Sequence, residues 1–144
     1  MSIKFMRSNE IKISLNKEQI DQIFSLEKIK NGCKQENVIA YDIFNDDELV
    51  GFAMLRQFSS KGWFLWNYAI DKNFQGLGLG YSGLKLLLKI MKEDYQASVI
   101  TTTYRYGNEI AKNLYQKVGF SEVNNVEESG CHEVDMLLEL KKIG

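Results

Sequence analysis

The chain has 144 residues, which suits one domain built on one core. With 44% hydrophobic residues, among them 8 Phe, 7 Tyr and 2 Trp, it carries too much large apolar side chain for a disordered segment. A formal net charge of −1 supplies no global basic field for nucleic acid, and apolar runs such as Trp63-Phe64-Leu65-Trp66 fall far short of the roughly 20 residues that cross a bilayer.

Residues 1–7 alternate polar and apolar and lack the apolar core of a signal peptide. The expectation is a single cytoplasmic domain over residues 1–144, with no nucleic-acid or membrane partner. Cys33 and Cys131 form no CxxC, and His132 has no second ligand at metal spacing. Neither a metal site nor a Cys-His nucleophile is expected, because Cys131 and His132 would face opposite sides of a strand.

Ile11, Ile13 and Leu15 alternate with polar residues and predict a first strand. Asn16 with Gln19 reads as a helix cap, followed by Ile20, Ile23, Phe24 and Glu27 at helical spacing up to Asn31-Gly32. Val38–Phe44 and Leu49–Phe58 predict a hairpin around Asn45-Asp46-Asp47. Trp63–Ile70 is apolar at nearly every position, the pattern of a strand covered on both faces.

Gly80, Leu84, Leu87, Leu88 and Met91 then mark one face of a helix. Val99–Tyr104, rich in Thr, predicts a strand. Ile110, Ala111, Leu114, Tyr115 and Val118 form a second helical stripe, closed by Gly119 as a left-handed cap. Ser121–Val126 and Glu133–Leu140 complete the chain as an antiparallel pair around residues 127–130. The order implies a mixed α/β fold, largely antiparallel, with one right-handed crossover over 63–104.

Gly76, Gly78 and Gly80 stand between a buried strand and a helix. Glycine permits positive φ and close approach of the backbone, and a helix N-terminus offers unpaired N–H groups and a positive dipole end. That combination suits a diphosphate better than a merely tight turn. A Walker loop is excluded because Gly80 is followed by Tyr81-Ser82 rather than Lys-Ser/Thr. A dinucleotide fingerprint fails because Tyr81 stands at its third glycine and the next strand ends in Tyr104-Arg105-Tyr106, without an acid.

Residues 69–80, Ala-Ile-Asp-Lys-Asn-Phe-Gln-Gly-Leu-Gly-Leu-Gly, resemble the pyrophosphate loop of the Gcn5-related N-acetyltransferase superfamily. Residues 107–120, Gly-Asn-Glu-Ile-Ala-Lys-Asn-Leu-Tyr-Gln-Lys-Val-Gly-Phe, resemble its second cofactor element. The resemblance covers about residues 48–140 and extends to bacterial diamine and polyamine acetyltransferases. It implies the single-domain acyl-coenzyme A N-acyltransferase fold, with strand 63–70 splayed from strand 99–104.

It further implies acetyl-coenzyme A as co-substrate. The amides of Gln75, Gly76, Leu77, Gly78, Leu79 and Gly80 would bind the pyrophosphate. Backbone groups of Ala69 and Ile70 would pair with the pantetheine arm, and one N–H there would face the thioester oxygen. Asn108 would contact the pantetheine, cap its helix, or both. Tyr115 reads as a core aromatic from spacing alone and, within the motif, as the acid that protonates the leaving thiolate.

No general base is assigned. Asp42, Glu109 and Asp135 are unranked candidates, and the fourth strand carries Trp66, Asn67 and Tyr68 where relatives keep an acid. Asp46, Asp47, Glu48, Glu127, Glu128 and Glu133 read as solvated surface before an acidic rim for a polycation. Trp63, Trp66 and Tyr68 could flank an amine channel through cation–π contact or simply be core, and core is expected for at least two of them. The acceptor would be a small amine, polyamines first, with peptide or protein amines and amino sugars open. A non-catalytic acyl-coenzyme A sensor is the competing function. The last strand would offer an edge for a homodimer.

Overall fold

The computed structural model describes residues 2–22, 26–128 and 130–140. Its elements are β1 (Ile3–Arg7), α1 (Lys17–Gln22), α2 (Leu26–Gly32), β2 (Val38–Asn45), β3 (Glu48–Gln57), β4 (Gly62–Ile70), α3 (Leu79–Asp94), β5 (Val99–Arg105), α4 (Glu109–Val118), β6 (Ser121–Glu128) and β7 (Cys131–Glu139). The strands form one seven-stranded sheet in the order β1-β2-β3-β4-β5-β7-β6. Only β4 and β5 pair in parallel, with α3 as their crossover; the other neighbours are antiparallel.

Local chemistry explains most of these elements. Asn45 pairs with Glu48 across the two-residue turn Asp46-Asp47, and Asp46 takes φ +55, a conformation aspartate tolerates better than most residues. The α3 stripe is buried as its periodicity predicts: Leu84, Leu87, Leu88 and Met91 are each at most 4% exposed. Each such side chain contributes about 1.5–3 kcal/mol on leaving water. Gly119 ends α4 at φ +114, its N–H bonding back into the last turn.

These side chains divide the core between two faces. Those of α3 and α4 join Ile100, Met136 and Leu138 on one face of the sheet. On the other, Ile29 of α2 packs with Val38, Ala40, Phe52 and Met54. No helix among the described residues is long and apolar enough to cross a membrane.

Pairing of β4 with β5 runs only from Gly62↔Val99 to Leu65↔Thr102. The cause lies on the other edge of β4, where the register with β3 shifts between Leu55↔Leu65 and Met54↔Asn67. Trp66 is the extra residue, and such a bulge bends its strand. Beyond Leu65 the two parallel strands part.

Two expectations are corrected. Residues 11–15 form no strand; the first strand is β1, whose Ile3 and Phe5 pack on the main core. Ile11 and Ile13 do pack, on the α2 side, but the Ser14 N–H goes to the Asp71 carboxylate at 2.9 Å rather than to a ladder. The helix expected after Asn16 is described as α1 and α2; residues 23–25 between them, including Ile23 and Phe24 of its stripe, lie outside the described residues. The last strand is no edge: β7 pairs with β5 on one side and β6 on the other. Its hairpin is longer than expected, and Ser129 of the turn lies outside the described residues. Edge pairing with a second copy would have to use β1 or β6.

Candidate active site

A cavity of about 430 Å³ opens between the splayed end of β4, the start of α3 and the first turns of α4. Ala69, Ile70, Gln75, Gly76, Gly80, Asn108 and Tyr115 all line it, although they come from three separate elements and the two loops that lead into α3 and α4.

The loop from β4 to α3 is anchored at its start. Asp71 is 8% exposed, and its carboxylate accepts from the N–H of Asn73 at 2.8 Å and of Ser14 at 2.9 Å. Burial pushes its pKa up, but those two N–H donors and Lys72 outweigh burial and hold it below the ordinary carboxylate value. A single 3-10 turn, Lys72–Phe74, follows. Gly76 and Gly78 then both take φ +80. Gly78 is the N-cap of α3 and carries no side-chain cap, so the first N–H groups of α3 are left without intrahelical acceptors.

The N-terminal helix braces the same place. Asn16 and Gln19 cap α1 reciprocally: the Asn16 N–H donates to Gln19 Oε1 at 2.8 Å, and the Gln19 N–H to Asn16 Oδ1 at 2.9 Å. The Gln19 amide also donates to the Ile70 carbonyl at 2.7 Å, as the Gln75 amide does at 3.0 Å.

That carbonyl reveals which way the strand faces. The Asp71 N–H donates to Val50 of β3, and Phe52 pairs with Ala69. Backbone groups alternate along an antiparallel pair, so those of Ala69 also turn to β3, while those of Tyr68 and Ile70 turn to the gap. Of Ala69 and Ile70, both expected to pair with a ligand arm, only Ile70 turns its backbone to the gap, and its carbonyl is already engaged. Ala69 meets the cavity without offering it a backbone donor.

Tyr115 is 7% exposed and packs edge-on against Phe120, ring centroids 5.5 Å apart. The Thr102 side chain lies close enough to the Tyr115 hydroxyl to act on its proton affinity, and the Thr102 hydroxyl donates to the Leu65 carbonyl at 3.0 Å. Leu65 and Thr102 are the last rung before the strands part, so the phenol lies at the base of the gap. Burial raises its pKa, with the Thr102 contact opposing in part; it is a neutral proton donor at pH 7. Asn108 caps α4, its Oδ1 accepting from the Ala111 N–H at 3.2 Å, and lines the cavity as well.

Leu77, Gly78 and Leu79 do not line the cavity. Leu77 is 62% exposed, and Leu79 is buried in the core at 3%. Tyr68, Asn16 and Gln19 do line it, and sequence reasoning placed none of them beside the glycine loop. The capping pair Asn16/Gln19 was legible, but only as a helix start; nothing local says that Gln19 reaches Ile70, 51 positions away.

The three unranked acids separate. Asp42 is 7% exposed and bonded to Lys12 Nζ at 2.8 Å. Glu109 is exposed at the start of α4. Asp135 pairs in register with Thr103, one residue past the last β4–β5 rung and, by side-chain alternation, on the face opposite Thr102 and Tyr115.

Trp63 is core at 4% exposure, whereas Trp66 lies under the Arg56 guanidinium, 5.4 Å from its ring. Cys131 and His132 part as a strand requires: Cys131 contacts Glu133, and His132 stacks on Tyr106.

A second hollow, of about 330 Å³, lies between α3 and α4, lined by Lys85, Lys89, Lys92 and Lys117 around Tyr81.

Residues 9–120 match the acetyltransferase (GNAT) family. An N-alpha-acetyltransferase of Sulfurisphaera tokodaii is 36% identical over 75 residues, 51% of this chain and 45% of that protein. A probable spermine N(1)-acetyltransferase of Bacillus subtilis subsp. natto is 35% identical over 85 residues, 54% of this chain and 56% of that protein. The chain spans about half the length of the curated relatives it matches. Among solved structures, the N-acetyltransferase PseH of Campylobacter jejuni, in complex with acetyl coenzyme A, superposes with a TM-score of 0.71 at 18% identity, covering 96% of this chain and 99% of PseH. That likeness carries the fold, and the family match over residues 9–120 carries the membership: the chain belongs to the GNAT family of acetyltransferases.

Proposed function

We propose that this protein transfers the acetyl group of acetyl-coenzyme A to a primary amine by direct attack in a ternary complex. One observation carries the reading: the glycine loop and the Tyr115 phenol open onto a single cavity, and that cavity ends where β4 and β5 part.

In this reading the loop amides and the dipole of α3 hold the diphosphate. The pantetheine arm enters the gap against the backbone groups of Tyr68 and the N–H of Ile70. The lysines around Tyr81, one residue beyond Gly80, receive the phosphorylated ribose. The Ile70 N–H faces the thioester oxygen and stabilises its charge as the amine attacks. The amine nitrogen bonds to the carbonyl carbon, the C–S bond breaks, and Tyr115 gives its proton to the departing thiolate. The proton shed by the amine returns to the tyrosinate through solvent.

The acceptor reaches the carbonyl from the face opposite the cavity, where Asp135 stands beside Thr103. Polyamines are the first acceptors to try. The acidic turn Asp46-Asp47 and the acidic end of β6, Glu127-Glu128, sit at the same end of the sheet as the gap, and one relative bears a spermine acetyltransferase name.

Thermal shift with acetyl-coenzyme A, then thiol release with an amine panel, tests the proposal. The panel holds spermidine, spermine, a peptide with a free N-terminus and an amino sugar. At a hundredfold excess over Kd, binding stabilises by about 2.7 kcal/mol, and thiol release should require an amine. No shift removes the coenzyme site; a shift without release from any amine leaves an acyl-coenzyme A sensor.

A further inference from the structure

We infer that Tyr68 is a positioning residue, whose hydroxyl clamps the first turn of α3 to the splayed end of β4 and so sets where the loop amides point. The inference rests on the acetyl-coenzyme A reading of this cavity. Tyr68 lies two residues before the end of β4 and lines the cavity with Ile70. Its hydroxyl donates to the carbonyl of Gly80 at 2.7 Å. A carbonyl has two lone pairs, so Gly80 can accept this bond alongside its helical one.

The tie spans the whole loop. Residues 71–78 join β4 to α3 and include two positions at φ +80. Asp71 fixes the start of the segment and Gln75 its middle; the Tyr68 hydroxyl joins its far end directly to the strand. Without that bond, the first turn of α3 would be held to β4 by packing alone, and the amides could drift from the gap.

Gly83 supplies independent support. It lies inside α3, where glycine is unfavourable. A Cβ there would sit 2.7 Å from the Tyr68 oxygen, but 3.9 Å from Tyr68 Cζ and 4.0 Å from Ile43 Cγ2, which are ordinary contacts. The hydroxyl oxygen is thus the single close obstacle to a side chain at 83. Glycine keeps the space that the clamp needs.

The test is a double-mutant cycle of Tyr68→Phe and Gly83→Ala, read by steady-state kinetics and by hydrogen exchange of the amides from Ser82 to Leu84, the first of α3 to find acceptors within the helix. Tyr68→Phe should raise the KM for acetyl-coenzyme A about fivefold, the equivalent of one hydrogen bond, with kcat and the amine KM within about twofold. Gly83→Ala alone should do the same by displacing the oxygen. Combined with Tyr68→Phe it should add nothing, because the obstacle is gone.

An unchanged KM in Tyr68→Phe, with wild type binding acetyl-coenzyme A, overturns the inference. So does a Gly83→Ala effect that multiplies that of Tyr68→Phe, or a parallel fall of kcat and KM quality that marks general damage. If wild type does not bind acetyl-coenzyme A, the transferase reading fails separately. Exchange of the amides from Ser82 to Leu84 then decides: it should quicken in Tyr68→Phe, and unchanged protection refutes the clamp.

Discussion

Replacing Gly78 and Gly80 in turn by alanine separates two residues that look equivalent in the motif. Gly78 sits at φ +80, and nothing lies within 4 Å of an added Cβ. The whole effect of Gly78→Ala is therefore conformational, and an L-residue in the left-handed region costs about 1–2 kcal/mol. Gly80 has no positive φ, and its added Cβ would meet Ile70 Cγ1 at 3.6 Å and Leu114 Cδ2 at 3.9 Å, both comfortable. Alanine in a helix is favoured over glycine by up to about 1 kcal/mol.

The two substitutions should therefore move stability in opposite directions: Gly78→Ala down, Gly80→Ala level or up. Gly78→Asn should lose less than Gly78→Ala, since asparagine enters the left-handed region more readily. Urea unfolding of the ligand-free protein, followed by tryptophan fluorescence, reads the difference. With a slope of about 2 kcal/mol per molar, Gly78→Ala should lower the midpoint by about 0.5–1 M. A silent Gly78→Ala, or a Gly80→Ala as damaging as Gly78→Ala, would refute the reasoning.

Tyr115→Phe should lower kcat about a hundredfold or more, the usual range for a lost general acid, and leave the KM for acetyl-coenzyme A within about twofold; equal loss of both in steady-state kinetics would count against the acid role. Asp71 has a folded pKa below its ordinary value. Its contribution is present above that ordinary value and is lost as pH falls through the depressed one. Urea midpoints taken from pH 7 down to 2 should therefore fall more steeply below about pH 4 in wild type than in Asp71→Asn, and matching profiles would remove Asp71 as the loop anchor.

The features legible in the sequence were those made by residues within a few positions of each other. The Asn16/Gln19 reciprocal cap, the α3 stripe and the Gly119 cap each close through contacts no more than about one or two helical turns apart. The two alternating segments at the N-terminus show the limit. Residues 3–7 and 11–15 have similar patterns, and only the neighbour they meet, β2 in one case and the Asp71 carboxylate in the other, decides which becomes a strand. The same limit hid the topology at the end of the chain, where β7 enters between β5 and β6 rather than along an edge.

By itself the sequence determined the kind of chemistry on offer: a glycine-rich turn into a helix N-terminus, and a tyrosine placed one helical stripe behind an asparagine cap. The tertiary structure alone decided how these meet. A one-residue bulge at Trp66 parts β4 from β5, strand alternation turns Tyr68 and Ile70 rather than Ala69 to the gap, and the Tyr68 hydroxyl crosses twelve positions to reach Gly80. The reason is physical. Backbone conformation and capping depend on near neighbours and are written locally, whereas the direction of a strand's hydrogen-bonding groups depends on which strand it pairs with, and that is settled only when the sheet forms.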